Sequence, residues 1–115
     1  MEDKILTEII ATLLNNKAID VCYFDASKVN PLYQYHIICS ANSNTHAIAL
    51  ANHVEEVLEN NNIRINHVEG NNKSVWILVD GNDYVISIFV GDARNYYDLE
   101  KMYINQNIVR VNEQL

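Results

Sequence analysis

Asp80 and Asp83 are the residues whose type and spacing most readily suggest chemistry, because the two carboxylates lie on either side of Gly81-Asn82. Carboxylate oxygens are the ligands that hard cations such as Mg²⁺ and Ca²⁺ prefer. Aspartates that flank a turn are more often solvated than bound to metal, however. The pair indicates either a cation site at the tip of a turn or an acidic surface, and we favour the acidic surface.

Histidine, serine and glycine form no pattern that supports catalysis. His46 and His53 are two helical turns apart, too far to share one ion, and no cysteine or carboxylate completes a ligand set. Ser40, Ser43 and Ser87 lack an accompanying pattern of histidine and aspartate. The sequence also has no glycine-rich phosphate loop. We therefore expect no catalytic residues, no metal and no cofactor.

The single tryptophan, Trp76, leads an apolar run that ends at Asp80. Gly81-Asn82 predicts a two-residue hairpin turn, which places Val79 opposite Tyr84 and Trp76 opposite Ser87. Side chains alternate between the two faces of a strand, so one face is apolar and the other is mixed. The apolar face holds Val75, Ile77, Val79, Tyr84, Ile86 and Ile88, and the mixed face holds Trp76, Leu78, Asp80, Asp83, Val85, Ser87 and Phe89.

Two interpretations of Trp76 are open. A large aromatic side chain is often simply part of the core. The aliphatic face is already complete without Trp76, however, and its own face carries Asp80, Asp83 and Ser87. A partly exposed tryptophan among polar groups is typical of an interface hot spot.

The whole chain predicts an α/β domain with helices packed on a mixed sheet of about five strands. Residues 5–14 repeat at helical spacing, and a longer helix begins after Asn42 or Ser43 and ends at residues 60–62. Strands are predicted at residues 21–24, 35–39 and 63–66 and in the hairpin, and Asp92 can cap a short third helix. The strands at 35–39 and 63–66, joined by the long helix, imply a parallel unit. We expect residues 1–115 to form one domain, with a polar tail from about residue 104.

Charge and composition restrict the partners. The net charge of −7 opposes binding to a phosphate backbone, so no strong direct nucleic-acid binding is expected. An acidic protein is better matched to a basic protein partner.

The N-terminal sequence and the cysteines indicate a cytoplasmic protein. The first four residues are acidic and lack the features of a signal peptide, and no apolar run approaches the ~20 residues that span a membrane. Cys22 and Cys39 lie in apolar strand-like runs, so we expect buried, reduced thiols rather than a disulfide.

From about Lys17 to Tyr103, the order and spacing of several motifs resemble the ribosomal silencing factor family, also called Iojap or RsfS. The family has a glutamate-glycine pair, a tryptophan-led strand ending in Asp, a second strand ending in Phe, and then Arg, Tyr and Leu-Glu. The corresponding residues are Glu69-Gly70, Trp76 through Asp80, Phe89, Arg94, Tyr97 and Leu99-Glu100, with earlier matches at Asp25, Tyr35, Ile37-Ile38, Ser43-Asn44 and Ala47-Ile48. No single motif is specific, and the resemblance rests on their succession.

Four positions depart from the family pattern. The family usually has Asp at the position of Gln34, Gly at Ala41, His at Ser87 and Trp at Tyr103. Because Ser87 is expected opposite Trp76, the substituted histidine position belongs to the mixed face. Tyr103 keeps an aromatic ring. We therefore expect the matching surface of the partner to differ in detail.

The resemblance implies a fold similar to that of nucleotidyltransferases and a function without catalysis. Family members bind ribosomal protein uL14 on the large ribosomal subunit and sterically block subunit joining, which represses translation. The partner-binding residues expected here are Trp76, Leu78, Asp80, Asp83, Ser87, Arg94, Tyr97, Leu99, Glu100 and Tyr103.

Several alternatives accompany this expectation. Arg94 and Tyr97 are one helical turn apart and can both face the partner, or Arg94 only pairs with Asp98. A nucleotidyltransferase-like enzyme would need paired carboxylates after a Gly-Ser loop, where this chain has Asn42-Ser43. An adaptor for another basic protein is the third candidate. The mixed face is also compatible with a homodimer of the free protein.

Overall fold

The computed structural model describes residues 3–111 of the chain. Its elements follow in the order α1 (Lys4–Asn15), β1 (Ile19–Asp25), β2 (Tyr35–Ala41), α2 (Asn44–Asn60), β3 (His67–Glu69), β4 (Trp76–Gly81), β5 (Tyr84–Val90), α3 (Ala93–Tyr97), a 3₁₀ helix (Leu99–Tyr103) and β6 (Ile108–Arg110). Across these residues, neither long helix combines the length and apolar character needed to cross a membrane.

The two long helices begin at side-chain caps. The Asp3 carboxylate accepts hydrogen bonds from the backbone N–H groups of Ile5 and Leu6, both at 3.0 Å. The Ser43 hydroxyl accepts from the backbone N–H of His46 at 3.1 Å, so Ser43 rather than Asn42 caps α2. These contacts satisfy N–H groups that have no partner within the first turn of a helix. Asp92 precedes α3 as predicted, but its side chain makes no capping hydrogen bond.

The sheet has the order β3-β4-β5-β2-β1-β6, and only β2 and β5 pair in parallel among the described strands. The predicted strand at 63–66 is wrong, because the strand that follows α2 is β3, which begins at His67. Asn66 contributes one backbone hydrogen bond to the Asp80 carbonyl, at 2.9 Å. The parallel partner of β2 is therefore β5, and the connection between them contains α2, β3 and β4.

The hairpin of β4 and β5 keeps the predicted faces but not the predicted register. Trp76 pairs with Phe89 rather than Ser87, and Gly81 pairs with Tyr84, which leaves Asn82-Asp83 as the turn. The register differs by two residues. Since an even shift leaves every strand side chain on its original face, the mixed face keeps Trp76, Leu78, Asp80, Val85, Ser87 and Phe89, whereas Asp83 lies in the turn.

Two apolar clusters lie on opposite faces of the sheet. Helices α1 and α2 cover the larger one, to which the hairpin contributes Ile77, Val79, Tyr84, Ile86 and Ile88 as predicted. The smaller cluster, on the face that also carries Trp76, contains Cys22, Phe24, Ala26, Ile38, Phe89 and Tyr103. Val75, which was predicted to pack with these residues, instead precedes β4 and is exposed.

A sixth strand follows where only a polar tail was predicted. Ile108 to Arg110 pair antiparallel with β1, so the sheet has six strands within the described part of the chain rather than about five. Cys22 and Cys39 are both buried free thiols, as predicted, and they belong to different clusters on opposite faces. Burial raises the pKa of Cys39 to about 12, so its thiol stays protonated at neutral pH.

Candidate protein-docking site

Trp76 lies at the border between the smaller cluster and solvent. Its ring stacks on Phe89 with centroids 5.1 Å apart and contacts Tyr97 of α3 at 4.8 Å. The side chain is only partly buried, so it is both a packing residue and a surface residue. Its indole nitrogen is buried with no hydrogen-bond partner among the described residues. Trp76 therefore packs on the smaller cluster and also presents surface to solvent, and its role at an interface stays a prediction.

Beyond Trp76, the mixed face stays open along β4. Leu78 and Asp80 are partly exposed, and their partners across β3 are Glu69 and His67, whose side chains share this face. His67 Nε2 lies 3.0 Å from the Glu69 carboxylate at the surface. We call Trp76, Leu78, Asp80 and Tyr97 the open strip.

Asp80 is held in place at one end of the open strip. Its Oδ2 accepts a hydrogen bond from the Tyr33 hydroxyl at 3.1 Å, and its Oδ1 accepts from the Asn82 backbone N–H at 3.1 Å. Burial, and then the nearby Asp80 carboxylate, raise the pKa of Tyr33. Asp83 is exposed in the adjoining turn. Within residues 3–111, no group of three or more His, Cys, Asp or Glu side chains is arranged to hold a metal ion.

Ser87 and Tyr103, two of the predicted partner-binding residues, lie inside the protein. Ser87 is fully buried and Tyr103 is 3% exposed. Both bind the imidazole of His36 on β2: Nε2 is 2.9 Å from the Ser87 hydroxyl, and Nδ1 is 2.7 Å from the Tyr103 hydroxyl. Burial lowers the pKa of His36 to about 4, so the ring is neutral at physiological pH. In this conformation neither Ser87 nor Tyr103 offers a surface to a partner.

Arg94 also turns inward. Its guanidinium binds the Glu100 carboxylate at 3.0 Å and the Ser40 hydroxyl at 3.1 Å, and neither charged side chain is more than 18% exposed. The alternative pairing with Asp98 is therefore not the one formed. Arg94 Nη2 lies 3.5 Å from Cys22 Sγ, where its charge opposes the rise that burial causes in the thiol pKa.

Helix α3 and the 3₁₀ helix place two predicted residues differently: Tyr97 belongs to the open strip, and Leu99 lies beneath it. Tyr97 is 46% exposed and lies against Trp76. Leu99 is partly buried and packs against the smaller cluster. Trp76, Leu78, Asp80 and Tyr97 therefore form the outer surface with Asp83 beside it, while Ser87, Arg94, Leu99, Glu100 and Tyr103 lie more deeply in the protein.

Tyr33 and His36 also contact residues of the site, although neither was predicted from the sequence. Tyr33 precedes β2 in a loop, and nothing in its spacing predicted contact with Asp80. His36 offered a weak signal, because a histidine among the apolar residues of a central strand needs hydrogen-bond partners when it is buried. The partners themselves are 51 and 67 residues away in the sequence.

Several known proteins are similar to this chain in sequence and fold. The model of the family described as "Ribosomal silencing factor during starvation", RsfS, matches residues 2–115. The ribosomal silencing factor RsfS of Bacillus subtilis is 32% identical over 104 residues, which cover 90% of this chain and 88% of the relative. That of Chromobacterium violaceum is 34% identical over 97 residues, covering 84% of this chain and 80% of the relative.

Two solved structures extend the likeness to the fold. A crystal structure of a Chromobacterium violaceum protein, 34% identical, superposes with a TM-score of 0.82 and covers 89% of this chain and 86% of its own. A Bacillus halodurans structure, 26% identical, gives a TM-score of 0.78 over 96% of this chain and 99% of its own. This chain belongs to the RsfS family of ribosomal silencing factors.

Proposed function

We propose that this silencing factor binds the large ribosomal subunit through ribosomal protein uL14, and that the bound protein sterically prevents the small subunit from joining. It acts in the cytoplasm as a repressor of translation and catalyses no reaction. The observation that carries the proposal is the open strip, in which the partly exposed Trp76 lies between Tyr97 of α3 and the partly exposed Leu78 and Asp80 of β4.

The composition of the open strip suits a protein partner. Trp76 and Tyr97 offer contiguous aromatic surface, and Leu78 extends it along β4. Aromatic residues at the centre of an interface, surrounded by polar groups, contribute most of the binding free energy in many complexes. Asp80 and Asp83 supply the polar border at the hairpin end.

Charge favours a basic partner at this site. The chain carries a net charge of −7, and ribosomal proteins are basic. Asp83 is exposed beside the strip, and Glu69 lies on the neighbouring edge strand. The resulting negative potential would attract a basic ribosomal protein and repel exposed rRNA phosphates. This selects a protein surface of the large subunit over its RNA.

Size is sufficient for steric exclusion. The described part of the chain measures 34 × 32 × 32 Å along its principal axes. A body of this thickness at the intersubunit surface would hold the two subunits apart, so occupancy alone would repress translation. No nucleotide, metal or turnover is required.

The deciding experiment is sedimentation of purified protein with separated ribosomal subunits. We expect co-migration with the large subunit and not with the small one. Inhibition of subunit joining should rise in proportion to occupied large subunits and saturate near one copy each. Inhibition at catalytic amounts, or only with added nucleoside triphosphate, would instead support the transferase-like alternative. Failure to bind either subunit would support an adaptor for another basic protein.

A control variant separates specific from general effects. Val75 is an apolar residue, 48% exposed, that immediately precedes Trp76 and lies outside the open strip. Val75→Ala should bind the large subunit as the wild type does, whereas Trp76→Ala should not. A ribosomal subunit depleted of uL14 should lose binding of the wild-type protein as well.

A further inference from the structure

His36 is a buried polar residue for which the proposed function has no direct use. It lies on β2, in the middle of the sheet, with 8% of its surface exposed. Both ring nitrogens have partners on other elements: Ser87 of β5 at Nε2 and Tyr103 of the 3₁₀ helix at Nδ1. A neutral imidazole has one donor and one acceptor, and a hydroxyl can fill either role. The ring is thus fully satisfied and fixed in orientation.

The two hydrogen bonds of His36 connect it to different parts of the fold, one to the sheet and one to the 3₁₀ helix. Ser87 belongs to β5, which the sheet already fixes next to β2. Tyr103 belongs to the segment that follows the sheet, and it is the one buried side chain within α3 and the 3₁₀ helix, all of whose residues are described. Its ring also stacks on Phe24, with centroids 4.3 Å apart. The bond to Nδ1 therefore orients the side chain that anchors this segment.

A second polar contact fixes the same segment at its other end. Glu100 of the 3₁₀ helix binds Arg94 of α3, and Arg94 binds Ser40 of β2. Tyr97 lies between these two anchors, and its ring rests on Trp76. The left-handed residue Asp98, with φ of 49°, joins α3 to the 3₁₀ helix. A displacement of the 3₁₀ helix would move Glu100, then Arg94, and with them the helix that carries Tyr97.

We propose that His36 is a positioning residue for the docking surface: by holding Tyr103 it fixes the 3₁₀ helix, and through Glu100 and Arg94 it sets the place of Tyr97 on Trp76. The inference rests on the proposed function for its effect on binding. Its effect on the free protein is independent of any partner.

The two hydrogen bonds can be separated by matched substitutions. Tyr103→Phe keeps the aromatic stack on Phe24 and removes the bond to Nδ1. Ser87→Ala removes the bond to Nε2 and leaves the 3₁₀ helix untouched. His36→Phe removes both bonds and keeps a planar ring. We expect Tyr103→Phe and His36→Phe to disturb the contact between Tyr97 and Trp76 to the same extent. Ser87→Ala should leave that contact unchanged.

The free protein gives the first measurement. Trp76 is the only tryptophan, so its fluorescence reports directly on the ring packed against Tyr97. We expect a shifted emission maximum, and faster hydrogen exchange across residues 93–103, in His36→Phe and in Tyr103→Phe. Wild-type emission and exchange are expected in Ser87→Ala. The double variant His36→Phe/Tyr103→Phe should add nothing to either single change, as residues acting through one contact do.

Binding to purified large subunits gives the second measurement. The variants His36→Phe and Tyr103→Phe should each bind roughly threefold to tenfold more weakly, the size expected for one lost hydrogen bond. Unchanged Trp76 emission in Tyr103→Phe would overturn the proposal, as would an equal effect of Ser87→Ala. If His36→Phe does not fold, Tyr103→Phe alone decides. Should wild-type protein fail to bind large subunits, the proposed function fails, while the fluorescence still decides the positioning role.

Discussion

Arg94 donates from both Nε and Nη2 to the same carboxylate oxygen of Glu100, at 3.2 and 3.0 Å. The two side chains are 11% and 18% exposed, so this contact is poorly solvated. Six residues separate them in the sequence, and the third helix and the 3₁₀ helix meet through this pair. Because Nη1 binds Ser40, the pair also joins both helices to the sheet.

Breaking this pair should destabilise the fold. Glu100→Gln leaves the Arg94 charge in a desolvated place, and we expect the free energy of unfolding to fall by roughly 2–3 kcal/mol. Urea denaturation followed by circular dichroism measures the change. Asp98→Asn is the matched control, since Asp98 is exposed and makes no ion pair among the described residues. Equal losses in both variants would contradict the assignment.

Trp76→Ala should weaken binding to the large subunit by about 2 kcal/mol or more, as expected of an interface hot spot. The free energy of unfolding should fall by less than the ~3–5 kcal/mol of truncating a fully buried aromatic residue, because Trp76 is only partly buried. Phe89→Ala, at a fully buried neighbour, supplies that benchmark. Calorimetric titration and denaturant unfolding measure the two quantities. Undiminished binding with a loss of stability equal to that of Phe89→Ala would make Trp76 a core residue only.

Asp83 should speed association with a basic partner. Asp83→Asn removes an exposed negative charge beside the open strip, so the association rate constant should fall by roughly twofold at low salt. The difference should shrink as ionic strength rises, because salt screens exposed charges. Stopped-flow or surface-plasmon kinetics measure the rate. Glu56→Gln changes the net charge equally on the far side of the sheet, and a similar effect there would mean that net charge alone matters.

The buried imidazole of His36 should make the protein sensitive to acid. Its pKa in the folded state, about 4, lies below the usual value of 6.5. As the pH falls, the unfolded chain therefore binds this proton first. The contribution of neutral His36 to the free energy of unfolding is fully present above pH 6.5. It is lost as the pH falls toward 4, and the loss is about 3 kcal/mol at most.

Unfolding free energies measured in denaturant across this pH range test the expectation. His36→Gln should flatten the pH dependence between 6.5 and 4 relative to the wild type, whatever its stability at neutral pH. Hydrogen bonds with Ser27 lower the pKa of Asp25, so this residue affects the free energy of unfolding only below this pH range. Its effect is the same in both proteins. Parallel curves for the two proteins would contradict the assignment.

The composition of the sheet faces could be predicted from alternation alone. The predicted hairpin register was wrong by two residues, yet Trp76, Leu78 and Asp80 kept their face because an even shift preserves it. The error came from Gly81, which was interpreted as a turn residue. A Cβ atom at Gly81 would lie 2.7 Å from Cδ1 of the buried Leu58, so a side chain at this position would require Leu58 to shift. The turn conformation is taken up by Asn82, with φ of 68°.

Two features of the structure depend on tertiary packing and could not be predicted from the alternation of apolar and polar residues. Ile63 and Ile65 alternate with polar residues as in a strand, but they cross the margin of the larger cluster in a loop and are partly buried there. Ser87 was correctly placed on the mixed face. Its burial depends on the 3₁₀ helix and on His36, which lie far from it in sequence, so no local pattern could predict that Ser87 is inaccessible.

Both edges of the sheet are three-residue strands, His67–Glu69 on one side and Ile108–Arg110 on the other. The seven-residue strands, rich in β-branched and aromatic residues, all lie between two neighbours. Long, flat and unpaired edges are the sites at which sheets of separate molecules fuse into aggregates and fibrils. Because the edge strands are short, the protein can expose an apolar strip to a partner while its aggregation-prone central strands stay paired and cannot start amyloid-like growth.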